Sequence, residues 1–317
     1  MPDFVTHSLA SAEGHSMQDA VRIEWTADGC SAVADIGYIG GGIRQYVCCG
    51  RAVMPLDTDV ARRKHYSGAT LAPWPNRLAG GSWTSEGVQY EGDCNDPQGN
   101  ALHGLVYDAL FEVTSRSESA VTLTYVLGEQ AIYPFRVRID LAYVLHSNGL
   151  SCTVTATNLA DERAPIALGV HPYFPYDADT TLVTSATTFD VQGDGQIPTG
   201  AQSPVAGIGI TPNTDCRIAP LSLDHCLSGH DRDGTGRAHT VLKYANGAVT
   251  DIWQDDQLGY TQLFTKPDFP WADGVAGAIG IEPQSAPANA FNSGTDLRWL
   301  APGDVWSVRW GIDVRNG

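Results

Sequence analysis

Four short segments of the sequence each combine an acid–base or hydrogen-bonding side chain with a neighbouring Gly or Pro: Asn76-Arg77, His103, His171 and Glu282. The proline after His171 disfavours the α region for that histidine, so its imidazole is presented from an extended, stiff backbone. An imidazole can give or take a proton near neutral pH. The residue types allow an acid/base, a metal ligand or a structural core histidine, and a single histidine at a strand end is more often structural.

Glu282 is the more informative residue, because it lies inside an otherwise apolar, strand-like segment. A buried carboxylate without a partner is costly, so this position predicts a partner or a ligand. Asp224, on a short apolar run, is a fifth candidate. A carboxylate and an imidazole together can accept and donate protons in one reaction.

The segments around these residues predict β structure. From Phe111 to Tyr143 apolar residues alternate with polar ones, which is typical of half-buried antiparallel strands. Asp28-Gly29, Asn148-Gly149 and Asn246-Gly247 are hairpin signals. With 34 glycines and no long amphipathic helix pattern, the chain is predicted to be an all-β, large antiparallel β-sandwich. We expect one domain over residues 21–317 after a loose lead-in over 1–20.

Composition narrows the class of ligand. The chain has 317 residues and a formal net charge of −17, which disfavours nucleic acid and anionic membrane surfaces as partners. Seven irregularly spaced cysteines predict reduced thiols and a cytoplasmic protein. The first twenty residues do not have the pattern of a signal peptide, and no apolar run is long enough to span a bilayer. The expected partner is a small polar molecule, bound by a monomer or a homodimer.

Taken together, the segments resemble the aldose 1-epimerase (galactose mutarotase) family. Five motifs in the family's order carry the resemblance, which extends from about Ile23 to Asp313: Pro75-Asn76-Arg77; Asn100-Ala101-Leu102-His103-Gly104; Gly169-Val170-His171-Pro172-Tyr173-Phe174; Leu223-Asp224-His225; and Ile281-Glu282-Pro283-Gln284 with Pro287 and Ala290-Phe291-Asn292. The resemblance implies a galactose mutarotase-like supersandwich and interconversion of the α and β anomers of a free hexose, with no cofactor.

The resemblance also implies roles for individual residues. Glu282 matches the general base, His171 the general acid and His103 a second histidine near the ring oxygen. Arg77 and Asp224 match residues that bind sugar hydroxyls, and Asn76 is an expected helper. As an acid, His171 should be protonated in part of the population at neutral pH. We add three aromatic residues as candidate walls of the sugar site, for each of which a core position is equally expected: Trp74, Trp253 and Phe291.

Three alternatives stay open. The segment Leu71 to Arg77 looks more like a bacterial subgroup that includes a sulfoquinovose mutarotase, so the basic group Arg62-Arg63-Lys64 could contact an anionic sugar; a solvated loop is the simpler interpretation of that group. A non-catalytic carbohydrate-binding protein would use the same fold. A metal site of two histidines and a carboxylate could form from His103, His171 and Glu282, although no close ligand spacing supports it.

Overall fold

The computed structural model describes residues 19–27, 29–57, 65–272 and 274–315. The strands of the N-terminal half are β1 (Ala20–Ala27), β2 (Cys30–Gly37), β3 (Ile43–Cys48), β4 (Arg51–Met54), β5 (Thr70–Leu71), β6 (Arg77–Leu78), β7 (Ser82–Ser85), β8 (Val88–Glu91), β9 (Ala101–Leu102), β10 (Glu112–Arg116), β11 (Ala120–Leu127), β12 (Val137–His146) and β13 (Gly149–Asn158). Turns fall at the predicted Asn148-Gly149 and Asn246-Gly247 positions, while Asp28 of the third predicted turn lies outside the described residues.

The strands of the C-terminal half are β14 (Ala164–Ile166), β15 (Gly169–Val170), β16 (Tyr173–Tyr176), β17 (Thr181–Thr184), β18 (Thr188–Gln192), β19 (Pro198–Pro204), β20 (Cys216–Arg217), β21 (Asp224–Ser228), β22 (Ala238–Lys243), β23 (Val249–Gln254), β24 (Tyr260–Trp271), β25 (Gly274–Gln284), β26 (Arg298–Leu300) and β27 (Val305–Arg315). Helical structure in the described residues is short: one α-helix, α1 (Ala290–Ser293), and 3-10 turns at Ala79–Gly81, Asp194–Gln196 and Val205–Ile208. No helix there is long and apolar enough to cross a membrane.

Two large antiparallel sheets form the body of the protein. One has nine strands in the order β10-β11-β12-β13-β27-β23-β22-β17-β20, and the other has β19-β18-β21-β24-β25-β15-β5 with β16 also paired to β25. Apolar side chains of both sheets share one core, among them Leu141 and Val154 of the first sheet and Leu263 and Ile281 of the second. The predicted all-β antiparallel fold is confirmed.

Strand β12 shows why the alternating sequence folds this way. Val137, Ile139, Leu141 and Tyr143 are buried, and the residues between them are partly exposed. Successive side chains of a strand point to opposite faces, so the pattern buries one face of the sheet and leaves the other toward water.

A smaller sheet, β1-β2-β3-β4, contains a departure from the prediction of reduced thiols. Cys30 and Cys49 form a disulfide, with their Cα atoms 4.8 Å apart. Cys30 begins β2 and Cys49 directly follows β3, and the antiparallel pairing of these strands brings the two residues together. Sequence spacing alone does not show this contact, since the two residues are 19 positions apart.

Candidate active site

A cavity of about 270 Å³ lies beside the eight-stranded sheet. Six of the predicted site residues line it: Asn76, Arg77, His103, His171, Asp224 and Glu282. Two further lining residues, Leu102 and Tyr173, belong to the sequence motifs, and five lie outside them: His65, Tyr66, Gln262, Phe264 and Lys266. Segments that are distant in sequence therefore converge at one place.

Strand register places Glu282 at the centre of the site. Both β15 and β16 pair with β25, and the two registers put His171, which lies between those strands, opposite Glu282. On the other side of β25, Gln262 of β24 pairs directly with Glu282. Directly paired residues on adjacent strands present their side chains to the same face, so three polar groups stand side by side in the sheet.

His171 is held rigidly against Glu282. Its backbone N–H donates to the Ala69 carbonyl at 3.0 Å, and its own carbonyl accepts from the Gly68 amide at 2.9 Å. The imidazole Nε2 lies 3.3 Å from Glu282 Oε1, and the two side chains are only 5% and 2% exposed. The other ring nitrogen, Nδ1, is buried without a partner among the described residues. The site therefore has an imidazole and a carboxylate in contact at the wall of the cavity.

His103 and Asn76 both occupy the left-handed backbone region, with φ of 66° and 55°. This conformation is uncommon for residues other than Gly. The two residues form hydrogen bonds with each other. The backbone N–H of His103 donates to the backbone carbonyl of Asn76 at 2.8 Å, and the backbone N–H of Asn76 donates to His103 Nδ1 at 3.3 Å. Because Nδ1 accepts, the neutral imidazole carries its proton on Nε2 and is a hydrogen-bond donor for a bound molecule.

Gly104 makes this local arrangement possible. Its φ is 73°, and a Cβ atom at this position would lie 2.2 Å from the Ala72 carbonyl oxygen. Only glycine allows both the left-handed backbone and the close approach. The Gly in the His103-Gly104 motif thus fixes where His103 points.

A row of side-chain amides connects the binding residues. Asn76 Nδ2 donates to Gln262 Oε1 at 3.3 Å, and Gln262 Nε2 donates to Asp224 Oδ1 at 2.7 Å. Gln196 Nε2 donates to the other Asp224 oxygen at 2.8 Å. Gln262 was not predicted from the sequence, although its position carries a signal, since a polar side chain inside a buried strand must find partners.

Arg77 is oriented by its neighbours. Its Nε donates to Asp96 Oδ2 at 2.8 Å, and its Nη1 donates to Asn76 Oδ1 at 3.3 Å. The side chain is 12% exposed and the carboxylate of Asp96 is nearly fully buried. These contacts occupy part of the guanidinium fork and leave further N–H groups for a ligand.

Burial shifts the proton equilibria of the central pair. Desolvation, with a smaller contribution from the nearby His65, lowers the pKa of His171 to about 3. Desolvation and the carboxylate of Asp224 raise the pKa of Glu282 well above its ordinary value, against hydrogen bonding from Gln284 and the charge of Arg77. When the pair holds one proton, that proton therefore lies on Glu282. The expectation that His171 is partly protonated at neutral pH was wrong for this structure, because burial disfavours the imidazolium.

The three predicted aromatic walls lie elsewhere. Trp74 is buried, with its ring 5.5 Å from that of Phe291, and Phe291 also packs against Trp83. Trp253 belongs to β23 in the nine-stranded sheet, with the Arg237 guanidinium 3.8 Å above its ring. None of the three lines the cavity, because the first two fill the core and the third is on the other sheet. Tyr66, Tyr173 and Phe264 are the aromatic residues that do line it.

Besides Arg77, the cavity is lined by a basic residue that the sequence did not indicate. Arg62, Arg63 and Lys64 lie outside the described residues. Lys266, one of only three lysines in the chain, lines the cavity, with Nζ 2.9 Å from Asp268 Oδ1.

The ligand atoms of His103, His171 and Glu282 do not converge as a metal-binding group. Among the residues that the structure describes, the only three-member group with such convergence is Cys30, Cys48 and Cys49, of which Cys30 and Cys49 are joined in the disulfide.

Solved structures define the class of fold. A galactose mutarotase-like protein from Clostridium acetobutylicum matches with a TM-score of 0.79 at 18% identity, covering 96% of this chain and 98% of that chain. The GalM/aldose epimerase homologue from C. elegans matches with a TM-score of 0.79 at 19% identity, covering 94% and 99%. The protein therefore has a galactose mutarotase-like fold.

The sequence model of the aldose 1-epimerase family matches residues 26–312, and the chain belongs to this family of sugar isomerases. The uncharacterized protein YihR of Escherichia coli strain K12 is 27% identical over 284 residues, which covers 85% of this chain and 86% of that protein. Human galactose mutarotase is 25% identical over 210 residues, which covers 61% of this chain and 60% of the human protein.

Proposed function

We propose that this protein interconverts the α and β anomers of a free hexose by opening and closing the sugar ring. The observation that carries the proposal is the contact between Glu282 and His171, 3.3 Å apart and buried at the wall of a cavity lined with hydrogen-bonding groups. Mutarotation needs one proton acceptor and one proton donor, and no redox step. A binding protein has no use for a buried carboxyl group and imidazole that share one proton.

The proton balance of the reaction follows from this pair. Glu282 takes the proton of the C1 hydroxyl while His171 gives a proton to the ring oxygen, so the C1–O5 bond breaks and an open aldehyde forms. Rotation about the C1–C2 bond exposes the other carbonyl face, and the two transfers reverse as the ring closes. This sequence requires the shared proton to move from Glu282 to His171 when the sugar enters. Sugar hydroxyls and Arg77 favour that move, because both stabilise the carboxylate.

The remaining polar residues of the cavity bind the sugar hydroxyls and so position the sugar beside Glu282 and His171. Asp224 presents carboxylate oxygens as acceptors, whose positions are fixed by Gln262 and Gln196. Arg77 and His103 present N–H donors. Acceptors and donors of this kind satisfy the hydroxyl groups of a hexose. A cavity of about 270 Å³ is in keeping with a single sugar ring.

An anomerisation screen tests the proposal. Wild-type protein is added to freshly dissolved α-glucose and α-galactose, and to sulfonated and phosphorylated hexoses at anomeric equilibrium, with exchange followed by polarimetry or NMR. We expect at least one hexose to exchange well above its spontaneous rate. If every sugar keeps its spontaneous rate while some of them bind, the protein is a carbohydrate-binding protein and the proposal fails.

Lys266 supports a second candidate for the substrate, a hexose with an anionic substituent. An ammonium group at the cavity in a chain of net charge −17 would attract such a substituent. The test is Lys266→Met, with Lys243→Met as the matched control, since Lys243 is also paired with an aspartate but does not line the cavity. For an anionic substrate, we expect only Lys266→Met to raise KM on the sulfonated hexose. Equal KM values in both variants would leave the neutral hexose as the substrate.

A further inference from the structure

A second cleft, of about 420 Å³, lies behind one wall of the catalytic cavity. The segment 101–104 forms that wall: Leu102 and His103 line the catalytic cavity, whereas Ala101 and Gly104 line the second cleft. The two spaces are therefore separated by a single chain segment, whose histidine belongs to the proposed site.

The rim between the two spaces is one layer of side chains. Tyr66 lines the catalytic cavity, and Asn95 and Tyr107 line the second cleft. The rings of Tyr66 and Tyr107 are 4.9 Å apart, and Asn95 Nδ2 donates to both hydroxyls, at 3.5 and 3.3 Å. Asn95 Oδ1 also accepts from the Leu102 amide at 2.6 Å. A ligand larger than one sugar ring could extend over this fixed rim from one space into the other.

The chemistry of the second cleft suits a neutral, hydroxylated ligand. Asp93 and Gln130 are exposed, and their side chains make no hydrogen bond or ion pair to the described part of the protein. Tyr107 adds a half-buried aromatic ring. Planar carboxylate and amide groups bind hydroxyls, and an aromatic ring packs against the apolar face of a sugar. The described residues that line the cleft include no Lys, Arg or His, so it offers no cation to a phosphate or sulfonate.

We propose that this cleft is a subsite for the second sugar ring of a reducing disaccharide whose free reducing end lies in the catalytic cavity. The proposal rests on the proposed function, because the reducing ring must be the one that anomerises. It extends that function by making a two-ring hexose sugar a better substrate than its parent monosaccharide. Contacts in the cleft would act through binding and not on the chemical step.

The test compares glucose with maltose, cellobiose and lactose, using NMR exchange to obtain kcat and KM. The test variant is Asp93→Ala with Gln130→Ala, and the control is Asp161→Ala with Glu162→Ala, which removes two exposed polar side chains outside the cleft. We expect wild-type protein to have a higher kcat/KM on at least one disaccharide than on glucose. The test variant should lose roughly tenfold on that disaccharide, through KM, and less than twofold on glucose.

Two outcomes would overturn the subsite, and they differ from failure of the proposed function. If wild-type protein accelerates glucose but favours no disaccharide, or if the test variant behaves as the control, the subsite is wrong and the mutarotase stands. If no sugar is accelerated, the proposed function fails. Saturation-transfer NMR with the methyl glycoside of cellobiose, which cannot anomerise, then decides the cleft separately: contact that disappears in the test variant supports it, and unchanged contact refutes it.

Discussion

Replacing Gln262 with Met should lower both the stability of the protein and its kcat/KM. This side chain connects two binding residues without being one of the proposed proton-transfer groups. Its amide donates to Asp224 and accepts from Asn76, at 2.7 and 3.3 Å. Met has nearly the same volume but cannot form either bond. Asp224 would keep only its bond from Gln196, and the amide row would be interrupted.

The size of the effect follows from the two lost bonds. A hydrogen bond to a carboxylate contributes about 1.5 to 3 kcal/mol and one between neutral groups about 1 kcal/mol, so the free energy of unfolding should fall by about 2.5 to 4 kcal/mol. Asp224 and Asn76 also lose their common position. If about 1.4 to 2.8 kcal/mol of transition-state stabilisation is lost with it, kcat/KM falls by about 10- to 100-fold.

Gln254→Met is the matched control. Gln254 is equally buried and makes three hydrogen bonds of its own, to the Leu258 and Tyr260 carbonyls and from the Thr261 hydroxyl. It does not line the cavity. Both variants should be less stable by urea unfolding, but only Gln262→Met should lose kcat/KM in an NMR exchange assay. The reasoning would be refuted by equal kcat/KM in the two variants after correction for the folded fraction.

Three further predictions concern histidines. His171→Asn should keep its circular dichroism spectrum and lose about 100-fold or more in rate by polarimetry; an insoluble or unfolded variant would favour a structural role. The pair of His171 and Glu282 works with one proton and takes up a second only near the His171 pKa of about 3, so kcat/KM should stay flat from pH 7 to 5. A fall with an apparent pKa near 6.5 would contradict this. Hydrogen bonds to Asp251 and Asp233 raise the pKa of His239 to about 9. Its contribution to stability is therefore full below about pH 6.5 and is lost as pH rises toward 9, so the Tm difference between wild type and His239→Gln should shrink over that range. A constant difference would argue against it.

The sequence was sufficient for the fold class and for six of the thirteen residues that line the candidate cavity. Alternation in β12 and the Asn-Gly turns indicate antiparallel strands because the strand period and turn geometry are local properties. His171 and Glu282 could be chosen because Pro172 and the apolar neighbours of Glu282 are adjacent in sequence. The proximity of the two residues could not be derived locally, since it depends on the register of β15 and β16 against β25.

The features that the sequence did not reveal depend on contacts between distant segments. The disulfide of Cys30 and Cys49 arises from strand pairing. Trp253 seemed equally suited to a sugar wall or a core position, and only the sheet order places it away from the cavity. The pKa of His171 is set by burial from every side, which no neighbouring residue in the sequence reveals.

The central claim is that Glu282 transfers protons to and from the sugar. The most direct measurement is NMR exchange between anomers of the preferred hexose, with wild type beside Glu282→Gln. The amide keeps the size of the side chain but cannot accept the C1 hydroxyl proton, so we expect the rate to fall by about 100-fold or more, with folding and sugar binding retained. A variant that exchanges the anomers as fast as wild type would contradict the claim.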